Sequence, residues 1–378
     1  MDINKRILYI VNVDWFFISH RMPIALEAQK RGFHVSIATT DTGRLKELEN
    51  LNFTIYKIKI NRGGLNPFIE FLTILRIIKI IRKVKPTIIH NVTLKISLYG
   101  SFASLFAKSA KVINAISGLG YTFSLNNTFS LSKIGILRRY IFILMKFAFH
   151  RRGLHFIFQN PDDQNIFKKI QLNNHNYFYL IKGSGVDLGT FNSIRNREIE
   201  DEIVFILTAR MLKDKGISEY INASKIVCER YSYSKYLLVG NIDKDNPASY
   251  SEEELHNQLM GTKVQWLGHR EDVPALLQLA DVMVFPSYRE GLPKSLMEAA
   301  AAGLPIITTN TIGCKECVDE GVNGYLVPVG DSIILAEKMI AFIQNPELII
   351  KMGKASRIKA ENEFSLNSVI DKTFEIYD

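Results

Sequence analysis

The stretch VMVFPSYREGLPKSLMEAAAAG, residues 282–303, reads as three pieces laid end to end. VMVFPS is an apolar run of strand length. REGLPK holds Gly291 and Pro293, which make a turn, and SLMEAAAAG is a small-residue helix closed by Gly303. A buried strand that delivers a turn and then a helix is the repeating unit of a parallel sheet. Glu290 falls in the turn and Glu298 in the helix, with seven residues between them. The helix start offers unpaired N–H groups and a partial positive charge, a seat for phosphate. Two carboxylates would repel phosphate, so they are better matched to sugar hydroxyls, donors that a carboxylate accepts.

The same alternation runs outward in both directions. Upstream, candidate strands are Ile7–Val13, Val35–Thr39, Thr54–Ile58, Thr87–His90, Lys111–Ala115 and His155–Gln159, with helices at Met22–Arg31 and Phe68–Val84. A second series begins with VFILTAR (204–210) and continues through YLLVG (236–240), KVQWLG (263–268), residues 281–287, LPIITTN (304–310) and GYLVP (324–328). At 378 residues the chain exceeds what one hydrophobic core usually supports. The glycine-rich segment IKGSGVDLGTFN (181–192) is the expected linker. The expectation is α/β: two doubly wound domains, residues 1–180 and 193–360, facing one another across a cleft, with a helix at 361–378 packing back on the first. Such sheets bind ligands at the carboxyl ends of their strands. In the second domain Arg210 ends a strand and Lys215 lies in the loop after it, so two cations stand where a diphosphate could bind.

Charge is divided unevenly. Residues 1–180 hold 26 Lys and Arg against 9 Asp and Glu, a net of +17; residues 181–378 hold 21 against 29, a net of −8. No acidic residue occurs between Glu70 and Asp162. That asymmetry points to an anionic partner for the first half. LRIIKIIRKVK (75–85) and LRRYIFILMKFAFHRR (137–152) interleave cations with large apolar residues, as does a surface that lies on anionic lipid. For the first of these, a core-facing helix with a solvated basic side is an equal reading. Neither segment has the uninterrupted apolar length of a membrane span. A recognition helix or an aromatic and basic sheet surface, the marks of a nucleic-acid binder, is missing.

Three cysteines argue against a disulfide framework and for a reducing compartment. Cys314 and Cys317 form a lone C-x-x-C without a second pair at zinc spacing, so two small residues near a turn is the better reading. His20, in the loop after the first strand, and Arg21 beside it are candidates for an acceptor or diphosphate contact; His90, at the end of the fourth strand, is a further one. A single histidine is more often a structural hydrogen-bonder.

The spacing E-x7-E in EGLPKSLME, with R-x4-K in RMLKDK upstream, resembles the donor-site signature of the family 4 retaining glycosyltransferases of GT-B fold, built from two Rossmann-like domains. The likeness continues in KGSGVD, LGHREDV (267–273), PSYREGLP and TIGCKECVDEGVNGYLVP (311–328), and covers essentially the whole chain. It implies a UDP-sugar donor held without a metal or other cofactor. Arg210 and Lys215 would hold the diphosphate, Glu290 the transferred sugar and Glu298 the ribose, within the loop of Gly291, Leu292 and Pro293. The loop ending at Arg270 would meet the base.

In the first domain, DWFFISHRMPIA (14–25), NVTLKISLYGS (91–101) and INAISGLGYTF (113–123) look like the subgroup that extends undecaprenyl-diphosphate-linked sugars in bacterial surface glycans. Some members of that subgroup transfer N-acetylgalactosamine. Lys95, Gly118 and Gly120 are the acceptor-side candidates this implies. Trp15-Phe16-Phe17 occupies the place of the glycine pair common after the first strand. The expected enzyme works on the cytoplasmic face of the inner membrane; a soluble acceptor or nucleotide-sugar epimerisation is the rival chemistry.

Overall fold

The computed structural model describes residues 5–60, 66–107, 109–119, 143–169, 175–191, 202–244 and 246–378. The chain divides into two compact units, one of residues 1–184 together with Val369–Asp378, the other Gly185–Ser368.

The first unit is built on a seven-stranded parallel sheet of β1 (Arg6–Val13), β2 (His34–Thr40), β3 (Thr54–Lys57), β4 (Ile88–Val92), β5 (Lys111–Ile116), β6 (Leu154–Phe158) and β7 (Tyr177–Leu180). The spatial order is β3-β2-β1-β4-β5-β6-β7. Its central strands are apolar on both faces, because described helices cover both. These helices include α1 (Asp14–His20), α2 (Met22–Lys30), α3 (Leu45–Asn50), α4 (Pro67–Val84), α5 (Leu94–Ala103) and α6 (Pro161–Lys169). The second unit has a six-stranded parallel sheet of β8 (Val204–Thr208), β9 (Lys235–Val239), β10 (Val264–Trp266), β11 (Val282–Phe285), β12 (Ile306–Thr309) and β13 (Gly324–Val327), ordered β10-β9-β8-β11-β12-β13. Around it lie α7 (Ile217–Arg230), α8 (Glu252–Leu259), α9 (Val273–Leu279), α10 (Lys294–Ala301), α11 (Ser332–Gln344) and α12 (Glu347–Lys359). The last helix, α13 (Leu366–Tyr377), carries the chain's end into the first unit.

Each sheet therefore reverses its strand order once, between β1 and β4 in the first unit and between β8 and β11 in the second. At such a switch point the two flanking loops diverge to opposite faces and leave a crevice at the strands' carboxyl ends.

Two details depart from the sequence reading. β4 runs on to Val92, so His90 lies inside the strand and is buried, with Tyr9 stacked beside it at 5.1 Å and Tyr377 Oη 2.7 Å from its Nδ1. That location corrects the placing of His90 at a strand end. In α4, Ile77, Ile78, Ile81 and Val84 pack inward while Arg82 and Lys83 are exposed, which gives the amphipathic arrangement; the exposed apolar side chains lie nearer its start, at Phe68 (70% exposed) and Phe71 (54%). Of the segment 137–152, only residues from 143 onward are described; there Phe147 is 72% exposed.

Backbone strain concentrates at one position. Among the described residues three non-glycines have positive φ; Asn52 and Lys85 follow helices, whereas Thr93 has φ 79° and ψ 157°. That region is essentially glycine's alone and costs a β-branched residue about 1–3 kcal/mol.

Candidate active site

The second unit's switch point is where the sequence signature converges. The loop after β8 carries Arg210 and, in a short 3-10 turn, Lys215; the loop after β11 carries Ser287, Tyr288 and Glu290. Lys215 Nζ and Glu290 Oε1 form an ion pair across the crevice, with side chains only 13% and 15% exposed. Ser287 Oγ holds the same carboxylate oxygen at 2.8 Å and also lies 3.0 Å from the carbonyl of Asp214, and Tyr288 N donates to that carbonyl at 2.9 Å. The two loops are thus stitched together by backbone and side chain, and the charged pair is fixed by its surroundings rather than by its own flexible stems.

Close backbone approaches require glycine at two points here. Gly216, with φ 74°, follows Lys215 and packs so tightly that a Cβ would come 2.1 Å from Pro286 O. Gly313, with φ 83°, lies against the glutamate loop, where a Cβ would come 2.4 Å from Glu290 O; Glu290 N in turn donates to Ile312 O at 3.1 Å. The segment after β12 therefore supports the loop of Glu290 from behind. Thr309 Oγ1, at the end of β12, donates to the carbonyl of Ser287, a second brace.

Arg210 is turned to the loop after β9, where its Nη1 pairs with Asp243 Oδ2 at 2.6 Å. Glu298 lies in α10 and faces Lys294 one turn earlier, at 3.5 Å. Burial raises its pKa above the usual carboxylate value, and the Lys294 charge only partly opposes that. The two glutamates of the opening stretch therefore have different cationic partners. Gly291, Leu292 and Pro293 are buried in the turn between them, with Pro293 at the helix N-cap. Arg270 is exposed and pairs through Nε with Asp272 Oδ1 at 2.7 Å. Its loop is anchored by Gly240 N donating to Gly268 O at 2.8 Å, so the ends of β9 and β10 are joined. Cys314 is buried beside this site, and burial followed by the Glu290 charge pushes its thiol up to about 12. A thiol so far from ionisation is a poor nucleophile at neutral pH.

In the first unit, Lys95 stands in the first turn of α5 and pairs with Glu70 Oε1 at 2.7 Å; Tyr99 Oη donates to the other oxygen of Glu70 at 2.7 Å. His20 stacks on Phe16 with ring centroids 4.0 Å apart. Arg21 is only 4% exposed and donates to the carbonyl of His20 at 3.1 Å. Its neighbours include the phenols of Tyr9 and Tyr377, and burial lowers its pKa. The structure thus places Arg21 among buried side chains beside Tyr9 and Tyr377. Gly118 has φ 119° beyond β5; Gly120 lies outside the described residues. Sequence reasoning missed Asp243, Ser287 and Gly313, whose positions are set by other strands of the sheet. Asp243 alone left a signal, as an acid in the loop after a strand.

Comparison with known proteins follows the same division. The model for glycosyl transferases group 1 matches residues 189–359, and that for glycosyl transferase 4-like proteins matches residues 6–160. The two matches together span most of the chain, and the chain is a glycosyltransferase. Among its relatives is the N,N'-diacetylbacillosaminyl-diphospho-undecaprenol alpha-1,3-N-acetylgalactosaminyltransferase of Campylobacter jejuni, 26% identical over 96% of this chain and 97% of that one. Another is the capsular polysaccharide biosynthesis glycosyltransferase CapM of Staphylococcus aureus, 25% identical over 99% and 97%. Among solved structures, the Anabaena protein Alr3699/HepE in complex with UDP and glucose superposes with a TM-score of 0.76 at 18% identity over 98% of this chain and 99% of that one. The fold of this glycosyltransferase is GT-B.

Proposed function

We propose that this glycosyltransferase is a retaining enzyme that moves a hexose or N-acetylhexosamine from a UDP-sugar to an undecaprenyl-diphosphate-linked saccharide in bacterial surface-glycan assembly. N-acetylgalactosamine is the first sugar to try. The observation that carries the reading is the Lys215–Glu290 pair fixed across the switch point of the second unit. A nucleotide sugar brings a replacement partner for each member: phosphate oxygens for the lysine and sugar hydroxyls for the glutamate. Paired in the free protein, neither ion is left buried alone. As the glycosidic bond breaks, charge grows on the diphosphate, and Lys215 with Arg210 stabilises it in place; the proposal assigns no metal to that step. Glu298, whose largely buried carboxylate lies 3.5 Å from Lys294 at the margin of ion-pair range, is suited to the ribose hydroxyls, and the Arg270 loop to the base.

The acceptor half of the proposal draws on the names of the Campylobacter relative and of an Escherichia coli UDP-Gal:alpha-D-GlcNAc-diphosphoundecaprenol alpha-1,3-galactosyltransferase, 22% identical over 91% of this chain. A lipid acceptor would be met at the inner membrane face. Among the described residues no helix is long and apolar enough to cross a membrane. The exposed Phe68, Phe71 and Phe147, with Arg82 and Lys83 further along α4, suit peripheral contact with anionic lipid.

The test incubates purified enzyme with undecaprenyl-diphosphate-linked sugars and a panel of UDP-sugars, with and without EDTA, and identifies products by mass spectrometry. Elongation of the lipid-linked sugar with its anomeric configuration retained and EDTA without effect is expected; transfer only to soluble acceptors, or epimerised UDP-sugar alone, would overturn the reading. Co-sedimentation with anionic liposomes should weaken with salt and with Phe68→Ser and Phe71→Ser, and indifference to anionic lipid would remove the membrane contact.

A further inference from the structure

The first unit's switch point, between β1 and β4, carries its own cross-crevice pair. Asn12 in β1 donates from Nδ2 to Thr93 Oγ1 at 3.1 Å. Thr93 follows β4 directly and has the strained backbone noted above among the described residues. Its backbone is held from both sides, by Thr93 N donating to Ala115 O at 3.0 Å and by Ser97 N donating to Thr93 O at 2.9 Å. Glycine would occupy this conformation without steric cost, so only the side chain gives a threonine an advantage here.

The chemistry of the pair is specific. With the amide donating to Thr93, the threonine O–H remains available as a donor, and Asn12 Oδ1 is a buried acceptor without a hydrogen-bond partner among the described residues. With the amide turned over, the threonine oxygen becomes the free acceptor and the Asn12 N–H the free donor. Either way one donor and one acceptor stand side by side, the complement of a hydroxyl, which both gives and receives. A phosphate, which only accepts, would leave the acceptor unmatched.

We propose that Thr93, with Asn12, contacts a hydroxyl of the acceptor and helps to set acceptor specificity, the backbone strain serving to hold the threonine side chain at the crevice. The proposal rests on the reading of this chain as a transferase to a hydroxyl-bearing acceptor, but not on that acceptor being lipid-linked.

The test compares Thr93→Val, Thr93→Ser and Thr93→Gly, each read on whichever acceptor the wild-type enzyme uses, lipid-linked or soluble, so that failure of the lipid reading leaves this one measurable. Thr93→Val keeps the β-branched shape and loses the hydroxyl; its KM for acceptor should rise about tenfold, the scale of one lost hydrogen bond, with KM for the UDP-sugar within about twofold of wild type. Thr93→Ser should restore acceptor KM to within about threefold. Thr93→Gly should unfold at a temperature no lower than wild type while losing acceptor binding as the valine variant does. Acceptor KM unchanged in Thr93→Val, or raised together with donor KM, would overturn the contact. A Thr93→Gly protein that melts more than about 5 °C below wild type would overturn the role of strain.

Discussion

The two units share a topology and differ in what they put at its one distinguished place. In the second, the crevice between β8 and β11 is spanned by a charged pair, Lys215 and Glu290, braced by Ser287 and backed by Gly313. In the first, the crevice between β1 and β4 is spanned by a neutral pair, Asn12 and Thr93. A doubly wound sheet offers the same geometry to any ligand, so the charge of the bridging side chains decides what is held. Charge suits a diphosphate leaving group, and an amide with a hydroxyl suits a sugar. The comparison also separates two uses of buried ionisable groups. Those of the second unit face one another at the crevice; those of the first, His90, Arg21, Tyr9 and Tyr377, form a core cluster that holds α13 in place.

The largest effect should follow from removing charge at the second switch point. Lys215→Ala or Arg210→Ala should lower the rate of transfer by roughly 10²-fold or more, the scale of one preorganised electrostatic contact; a loss below about fivefold in a folded variant would break the contrast between the units. Gly313→Ala adds a Cβ that would sit 2.4 Å from Glu290 O, at a φ of 83°. Displacing the glutamate loop should reduce transfer by on the order of 10²-fold, and full activity in this variant would show that the segment after β12 does not position Glu290. Changes in the first unit's core should instead act on stability. Tyr377→Phe deprives Tyr9 Oη and His90 Nδ1 of their partner, and urea unfolding should show a loss of about 1–3 kcal/mol, with UDP affinity unaltered. A weakened UDP affinity would mean that the two clusters are not separate.

The smallest effect is the pH dependence of that core. Burial, with the Arg21 charge, holds His90 well below its ordinary pKa of 6.5, so the folded protein disfavours the proton that the unfolded chain accepts. Its contribution to stability is therefore complete above about pH 6.5 and is lost as pH falls from there toward the folded pKa. The difference in melting temperature between wild type and His90→Phe should narrow on acidification from pH 7 to 5.5; a difference independent of pH would contradict the assignment.

Much of this was legible in the sequence because parallel α/β units write themselves locally. The apolar run before Pro286 and the glycine after the alanines mark a strand and a helix without tertiary information, and R-x4-K with E-x7-E placed Lys215 and Glu290 in the loops that flank one crevice. What stayed hidden depends on distant chain. His90 looked like a strand end until Tyr377, 287 residues away, closed over it. The burial of Arg21 beside Tyr377 depends on the same distant helix. Ser287 reads as part of a strand end, and Gly313 carries no sign that its partner is the carbonyl of Glu290. The strain at Thr93 belongs to the backbone and has no sequence signature; threonine before a helix is ordinary on its face.

In the proposed assignment the charged crevice, and not the neutral one, holds the nucleotide diphosphate. Calorimetric titration of UDP into wild type, Lys215→Ala and Thr93→Val tests it most directly. UDP affinity at least about tenfold weaker in Lys215→Ala and unchanged in Thr93→Val is the expected result. Equal affinity in wild type and Lys215→Ala, or a loss confined to Thr93→Val, would contradict it.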